Sequence, residues 1–142
     1  IKLIYFSTGY VYEGKNGNYS ENDPVKPFNN YGLSKLGGEC AVAMYKNSLI
    51  LRITMTEKPF AHNKAYTNLK TNFIFHEDLV KYLPKLIKEK GIINIGGKTQ
   101  SVYDFAKKNN PKVKAIRAKK KAIPLNQTMN LKKLLKILKT KK

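Results

Sequence analysis

An α/β fold built around a mainly parallel sheet is what this sequence predicts, on three observations. Short, nearly uninterrupted apolar runs recur at Ile1–Phe6, Ser48–Thr54 and Gly91–Gly97, the composition of parallel strands covered on both faces. Segments with helical spacing of apolar residues lie between them, at Asn29–Tyr45 and Glu77–Lys90. Strand and helix therefore alternate, as they do when helices cross over between parallel strands, and no internal repeat competes with that reading.

In chain order, Ile1–Phe6 reads as a central strand that Ser7-Thr8-Gly9 brings to an end. That sets two hydroxyls at the carboxyl end of a strand, the edge where open parallel sheets bind their ligands. Residues 11–30 read as loop, punctuated by Gly14, Asn16, Gly17, Asn18, Pro24 and Pro27. The helix over Asn29–Tyr45 has an apolar stripe of Leu33, Leu36, Cys40, Ala43 and Met44, which assigns Cys40 to the core. Gly37 and Gly38 inside it each cost about 1 kcal/mol against Ala, and two together point to something packed unusually close. Residues 57–72, with Pro59 and several aromatics, read as an irregular loop over a site, and Asn72–His76 as a short extended piece. Glu77 and Asp78 open the next helix and lysines close it, as the helix dipole favours. Gly91–Gly97 reads as helix stop, strand and turn. Ser101 is the expected N-cap of a helix to Lys108, Val113–Ile116 a last small strand, and Asn130 the expected cap of an amphipathic helix Leu131–Leu138.

Composition narrows the function classes. With 142 residues and 42% hydrophobic content the chain has material for one packed domain or part of a larger one. A single Cys40 forbids an internal disulfide and suits a reducing, cytoplasmic setting. No run is apolar and long enough to cross a bilayer, no signal-peptide pattern opens the chain, and no membrane partner is expected. The formal net charge is +19, almost all of it lysine, with Arg52 and Arg117 the two arginines. Apart from clusters at Lys112–Lys121 and Lys132–Lys142, the lysines are spread along the chain. Scattered lysine with little arginine reads as a solvated surface, so nucleic acid is not the expected partner. Two histidines and one cysteine lack metal-ligand spacing, and neither a serine-hydrolase elbow nor a Walker loop occurs. Because Ile1 already reads as strand, the chain is expected to be a fragment or a truncated reading frame.

The chemistry concentrates in Pro27-Phe-Asn-Asn-Tyr-Gly-Leu-Ser-Lys-Leu-Gly-Gly-Glu39. Tyr31 and Lys35 are four apart, one helical turn, on one face. A cation near a phenol favours the phenolate, and a tyrosine so placed can exchange a proton with a substrate oxygen near neutral pH. Thr8 stands 31 − 8 = 23 residues earlier, at a strand end. Together with Ser7-Thr8-x-Tyr10-Val11-Tyr12-x-Gly14, Glu21-x-Asp23, Tyr31-Gly32-x-Ser34-Lys35-x-x-Gly38-Glu39, Leu51-Arg52, Glu77-Asp78-Leu79 and Gly91-Ile-Ile-Asn-Ile-Gly96, these residues resemble the extended short-chain dehydrogenases. Within that group the chain is most similar to nucleotide-sugar reductases of the dTDP-4-dehydrorhamnose reductase type. The resemblance runs through nearly the whole chain and corresponds to the C-terminal half of such an enzyme.

The resemblance implies the C-terminal half of a Rossmann-like parallel sheet followed by a small substrate-binding region. Residues 1–56 would carry the catalytic residues and 57–142 the substrate side. Thr8, Tyr31 and Lys35 would be the catalytic residues: Thr8 hydrogen-bonding a substrate carbonyl, Tyr31 protonating it, Lys35 assisting and holding the nicotinamide ribose. NADP or NAD would be the cofactor, met by Tyr31, Lys35, Ile53 and Thr54. The substrate, a 4-keto-6-deoxy nucleotide sugar, would meet Thr8, Tyr10, Val11, Phe60 and Tyr66, and a homodimer is a further implication. Gly9 and Tyr10 stand where the dehydratases of this superfamily carry an acidic pair, which argues against dehydration. No G-x-x-G-x-x-G loop occurs, so the chain alone is expected to hold a dinucleotide poorly. Three readings stand beside the reductase: a nucleotide-sugar epimerase with the same residues, a non-catalytic binding or regulatory relative, and a basic nucleic-acid-binding protein.

Overall fold

The structure is a computed structural model and describes residues 1–119 and 122–140. Lys120, Lys121, Lys141 and Lys142, which belong to the two lysine clusters, lie outside the described residues.

Three strands make the principal sheet: β1 (Leu3–Thr8), β2 (Ser48–Ile53) and β7 (Gly91–Ile95), in the order β1-β2-β7 and all parallel. All six residues of β2 are buried, as a central parallel strand requires. The predicted alternation therefore holds. Helix α1 (Asn30–Ala43) joins β1 to β2, and α2 (His76–Leu86) precedes β7. Gly91, at φ 77°, turns the chain into β7 through the left-handed region that glycine tolerates. β7, from beyond residue 56, completes the sheet by pairing with β2.

The helices take opposite faces. On one, Leu49, Leu51, Ile53, Ile93 and Ile95 pack with Leu79 and Leu86 of α2 and Leu134 of α4 (Lys132–Lys139). Burying a leucine such as Leu134 contributes about 1.5–3 kcal/mol. Asn130 accepts a hydrogen bond from the Lys132 N–H at 3.0 Å, but Leu131 is the residue at the cap.

α1 covers the other face, in a way that its apolar pattern does not foretell. Asn29 caps it, accepting from the Gly32 N–H at 2.7 Å. Its fully buried residues are Gly32 and Glu39, whereas Leu33, Cys40, Ala43 and Met44 are exposed. Cys40 is thus a surface thiol and not a core residue. Glycine backbones are what bring the helix close: a Cβ on Gly32 would strike the Tyr10 carbonyl, and one on Gly38 would strike the Tyr5 ring. Gly37 faces open space, so only one of the adjacent glycines has a close neighbour. β1 likewise departs from expectation. It is one of the two outer strands, and Leu3 and Phe6 are each about two-fifths exposed (40% and 41%). A composition suited to burial on both faces does not supply the neighbours that bury it.

Short pieces fill the expected loop. β3 (Met55–Thr56) pairs with β6 (Ile74–Phe75), β4 (Lys64–Tyr66) with β9 (Lys114–Ile116), and β5 (Lys70–Thr71) antiparallel with β8 (Gln100–Ser101). Ser101 caps α3 (Val102–Asn109) as predicted, accepting from the Asp104 N–H at 3.0 Å. Phe60, Ala65, Leu69, Val102, Phe105, Ala106 and Val113 form a second core, beside the carboxyl edge of the sheet. No helix among the described residues is long and apolar enough to cross a membrane.

Candidate active site

At the carboxyl edge of the sheet, Thr8, Ile53 and Ile95 are partners in register. Thr8 is buried and caps a single 3-10 turn, Gly9–Val11, its hydroxyl accepting from the Tyr10 N–H at 3.3 Å. Tyr31 and Lys35 stand one turn apart at the start of α1, and Tyr31 is 54% exposed. The Lys35 ammonium lies over the Tyr5 ring, 4.5 Å from its centroid, while the Tyr5 hydroxyl donates to the Lys35 carbonyl at 3.3 Å. The aromatic face of Tyr5, and not the Tyr31 phenol, is therefore its recorded neighbour. Tyr10 meets Tyr31 edge-on at 6.2 Å and Phe28 at 5.4 Å between ring centroids. Burial, and secondarily Tyr31, push the Tyr10 phenol above its ordinary value.

From Tyr10 a cleft of about 770 Å³ opens toward the second core, a size that suits a small organic ligand. Phe60 and Tyr66, picked out in the sequence, line it together with Tyr10. Glu57, His62 and Lys64 add charge and hydrogen-bonding capacity to one wall. The backbone N–H of Glu57 itself, opposed by partial desolvation and joined by the Thr56 hydroxyl and nearby His62 and His76, holds the Glu57 carboxyl below the usual range. Val11 is not on this wall. It is fully buried with Tyr12, Tyr19 and Met129, so its side chain has no surface to offer a substrate. Ile53 also gives its side chain to the core, against Leu51 and Ile95. Thr54 is buried, with its hydroxyl against Gly9, its N–H bonded to the Ile95 carbonyl and its carbonyl to the Ile74 N–H. Both side chains are buried in this structure.

One constellation escaped the sequence reading. The row before the strand ends is polar across all three strands: Ser7, Arg52 and Asn94 are partners in register. Glu39 reaches into this row from α1. Its carboxylate accepts from the Ser7 hydroxyl at 2.5 Å and from the Arg52 guanidinium at 2.8, 3.0 and 3.2 Å. Arg52 also donates to the Tyr12 hydroxyl at 2.8 Å, which lies 2.9 Å from both the Asn94 side-chain oxygen and the Ser20 carbonyl. Desolvation alone would loosen the Arg52 proton, but Glu39 and Tyr12 outweigh it and its pKa is raised. Burial likewise raises the Tyr12 phenol, against the pull of Arg52. The signal was present in the sequence, as a polar residue breaking each apolar run at its penultimate position.

For a nicotinamide nucleotide, the donor set fits the ribose end: an exposed phenol and an ammonium whose recorded contact is a ring face, beside a strand-end hydroxyl. Among the described residues no group of three or more His, Cys, Asp and Glu side chains could hold a metal ion.

The chain is similar in sequence or structure to several known proteins. Over 52 residues the chain is 46% identical to methionine adenosyltransferase 2 subunit beta of Danio rerio, covering 36% of this chain and 16% of that one. Over 42 residues it is 54% identical to a dTDP-4-dehydrorhamnose reductase of Burkholderia thailandensis, covering 29% and 14%. Among solved structures, a hypothetical dTDP-4-dehydrorhamnose reductase from Sulfolobus tokodaii superposes with a TM-score of 0.83 at 27% identity, over 98% of this chain and 59% of that one. The Bacillus anthracis dTDP-4-dehydrorhamnose reductase in complex with NADP gives 0.78 at 22% identity, over 99% and 59%, a likeness of fold. The chain thus corresponds to part of the length of these relatives. Residues 1–72, just over half of the 142, match the RmlD substrate binding domain, and on that match the chain belongs to this family.

Proposed function

We propose that this chain is the catalytic, substrate-side part of an NAD(P)-dependent reductase acting on a 4-keto-6-deoxy nucleotide sugar. The observation that carries the reading is the meeting, at one sheet edge, of the strand-end hydroxyl of Thr8, the helix bearing Tyr31 and Lys35, and an aromatic-lined cleft that begins at Tyr10. Bound there, a nicotinamide supplies hydride. The chain's residues do the rest. Thr8 donates a hydrogen bond to the sugar carbonyl oxygen, and the Tyr31 phenol delivers the proton that the developing alkoxide takes up. Lys35, on the next turn, holds ribose hydroxyls. The cleft receives the sugar against Tyr10, Phe60 and Tyr66. With no G-x-x-G-x-x-G loop in its 142 residues, the chain alone turns over slowly or not at all, and a dinucleotide-binding half supplies the remainder.

The test is a chimera in which residues 1–142 replace the corresponding part of the Burkholderia thailandensis reductase. Oxidation of NADPH by a dTDP-4-keto-6-deoxy sugar is expected, and Tyr31→Phe should lower kcat by about 100-fold or more with unchanged melting, since that side chain is exposed. A folded, NADPH-binding chimera that reduces nothing, or that keeps its rate with phenylalanine at position 31, refutes the reading. A second reading, a non-catalytic subunit, is favoured by one observation: the 46%-identical relative is itself a subunit beta of another enzyme. It predicts nucleotide-sugar or NAD(P) binding without turnover in the same chimera.

A further inference from the structure

Buried ion pairs are costly to desolvate, and apolar replacements of similar volume are often neutral or stabilising. Fold stability alone is therefore a weak account of Glu39 and Arg52, whose side chains are each only 4% exposed. Their location is more informative. Glu39 is one turn beyond Lys35 on α1, and Ser7, which donates to it, immediately precedes Thr8. Most of the remaining close contact of α1 is glycine backbone, resting on the Tyr10 carbonyl and the Tyr5 ring, with Leu36 packed partly against Val11, Tyr12, Tyr19 and Met129. Such contacts fix how near the helix lies, but they interdigitate little and leave its slide and rotation weakly defined. Directional hydrogen bonds define both. Arg52 passes the connection from Glu39 to Tyr12, and Tyr12 to Asn94, whose amide donates to the Tyr19 carbonyl at 2.8 Å. α1, all three strands and the loop after β1 are thereby tied together one row beneath Thr8.

We propose that Glu39 and Arg52, with Ser7 and Tyr12, are positioning residues that set α1 in register with the end of β1 and so hold Tyr31 against Tyr10 and Thr8. The geometric part stands by itself. Its consequence for rate rests on the reductase reading above.

The test uses the paired replacement Glu39→Leu with Arg52→Met, which removes both charges together. In the 142-residue chain, nuclear Overhauser contacts between the Tyr10 and Tyr31 rings report the placement of α1 without any turnover. The expected result is a folded variant, melting near the wild-type temperature, in which those contacts are lost or rearranged. In the chimera, kcat should fall on the order of 100-fold, as an ångström-scale misplacement does, with KM within about twofold. A folded variant with wild-type ring contacts overturns the proposal. If the double variant does not fold, Ser7→Ala decides: it removes one hydroxyl and leaves the ion pair, and unchanged ring contacts in it overturn the proposal equally. A wild-type chimera without turnover refutes the reductase reading alone, because the ring contacts still decide the positioning.

Discussion

Replacing Arg52 alone by methionine probes how dry the polar row is. The guanidinium makes three contacts of 2.8–3.2 Å to the Glu39 carboxylate and one of 2.8 Å to the Tyr12 hydroxyl. Methionine fills much of the same volume but leaves Glu39 with the Ser7 hydroxyl as its recorded partner. Removing one member of a buried pair costs about 3–5 kcal/mol, because the remaining charge stays in the interior uncompensated. Against the roughly 5–15 kcal/mol that holds a domain folded, this is a large share. For a chain of this length it corresponds to a fall in melting temperature of about 10–20 °C. Urea unfolding followed by circular dichroism, wild type beside variant, measures it, provided the denaturant slopes agree. A loss below about 1 kcal/mol, the range of solvent-exposed pairs, would show that water reaches Glu39 and would refute the argument that the row is dry.

The two glycines of α1 make a controlled pair. Gly38→Ala puts a methyl into the Tyr5 ring and should cost about 1–3 kcal/mol, whereas Gly37→Ala, facing open space, should be neutral or stabilise by up to about 1 kcal/mol; equal effects in thermal melts would sink the close-packing account. Alkaline stability gives a second check. Burial raises the Tyr12 and Tyr10 phenols above the ordinary 10.0, so the unfolded chain releases these protons first. The stability they contribute is full below the unfolded value and is lost as pH rises through the folded one. Melting temperature should therefore decline above a pH of about 10, and Tyr12→Phe should flatten the decline; an unchanged slope counts against it.

Much of the architecture was legible. The apolar runs at β1, β2 and β7, and the cap at Ser101, announce themselves because a strand covered on both faces and a helix N-terminus each demand particular residue types locally. Tyr10, Phe60 and Tyr66, named from the sequence as substrate-side candidates, line the cleft. α1 was misread because hydrophobic periodicity counts side chains, and the buried face of this helix is made mostly of glycine and one glutamate, with Leu36 alone of the predicted stripe packed against the core. Leu33, Cys40 and Met44 look like a core stripe until the sheet is seen to lie on their opposite side. Val11 and Ile53 give their side chains to core clusters, because adjacency to a strand end in sequence does not say which way a side chain points once the chain turns.

The sequence alone determined the order of the principal strands and helices, the parallel sheet and the presence of a phenol and an ammonium one helical turn apart. Those are consequences of local composition and spacing. Only the tertiary structure decided that Glu39 meets Arg52, that Lys35 rests on Tyr5, and that the cleft beside the end of β1 joins Tyr10 and Phe28 to residues as distant in sequence as Gln127. Each depends on register between strands and on the approach of a helix to a sheet, quantities set by the packing of the whole chain rather than by any one segment.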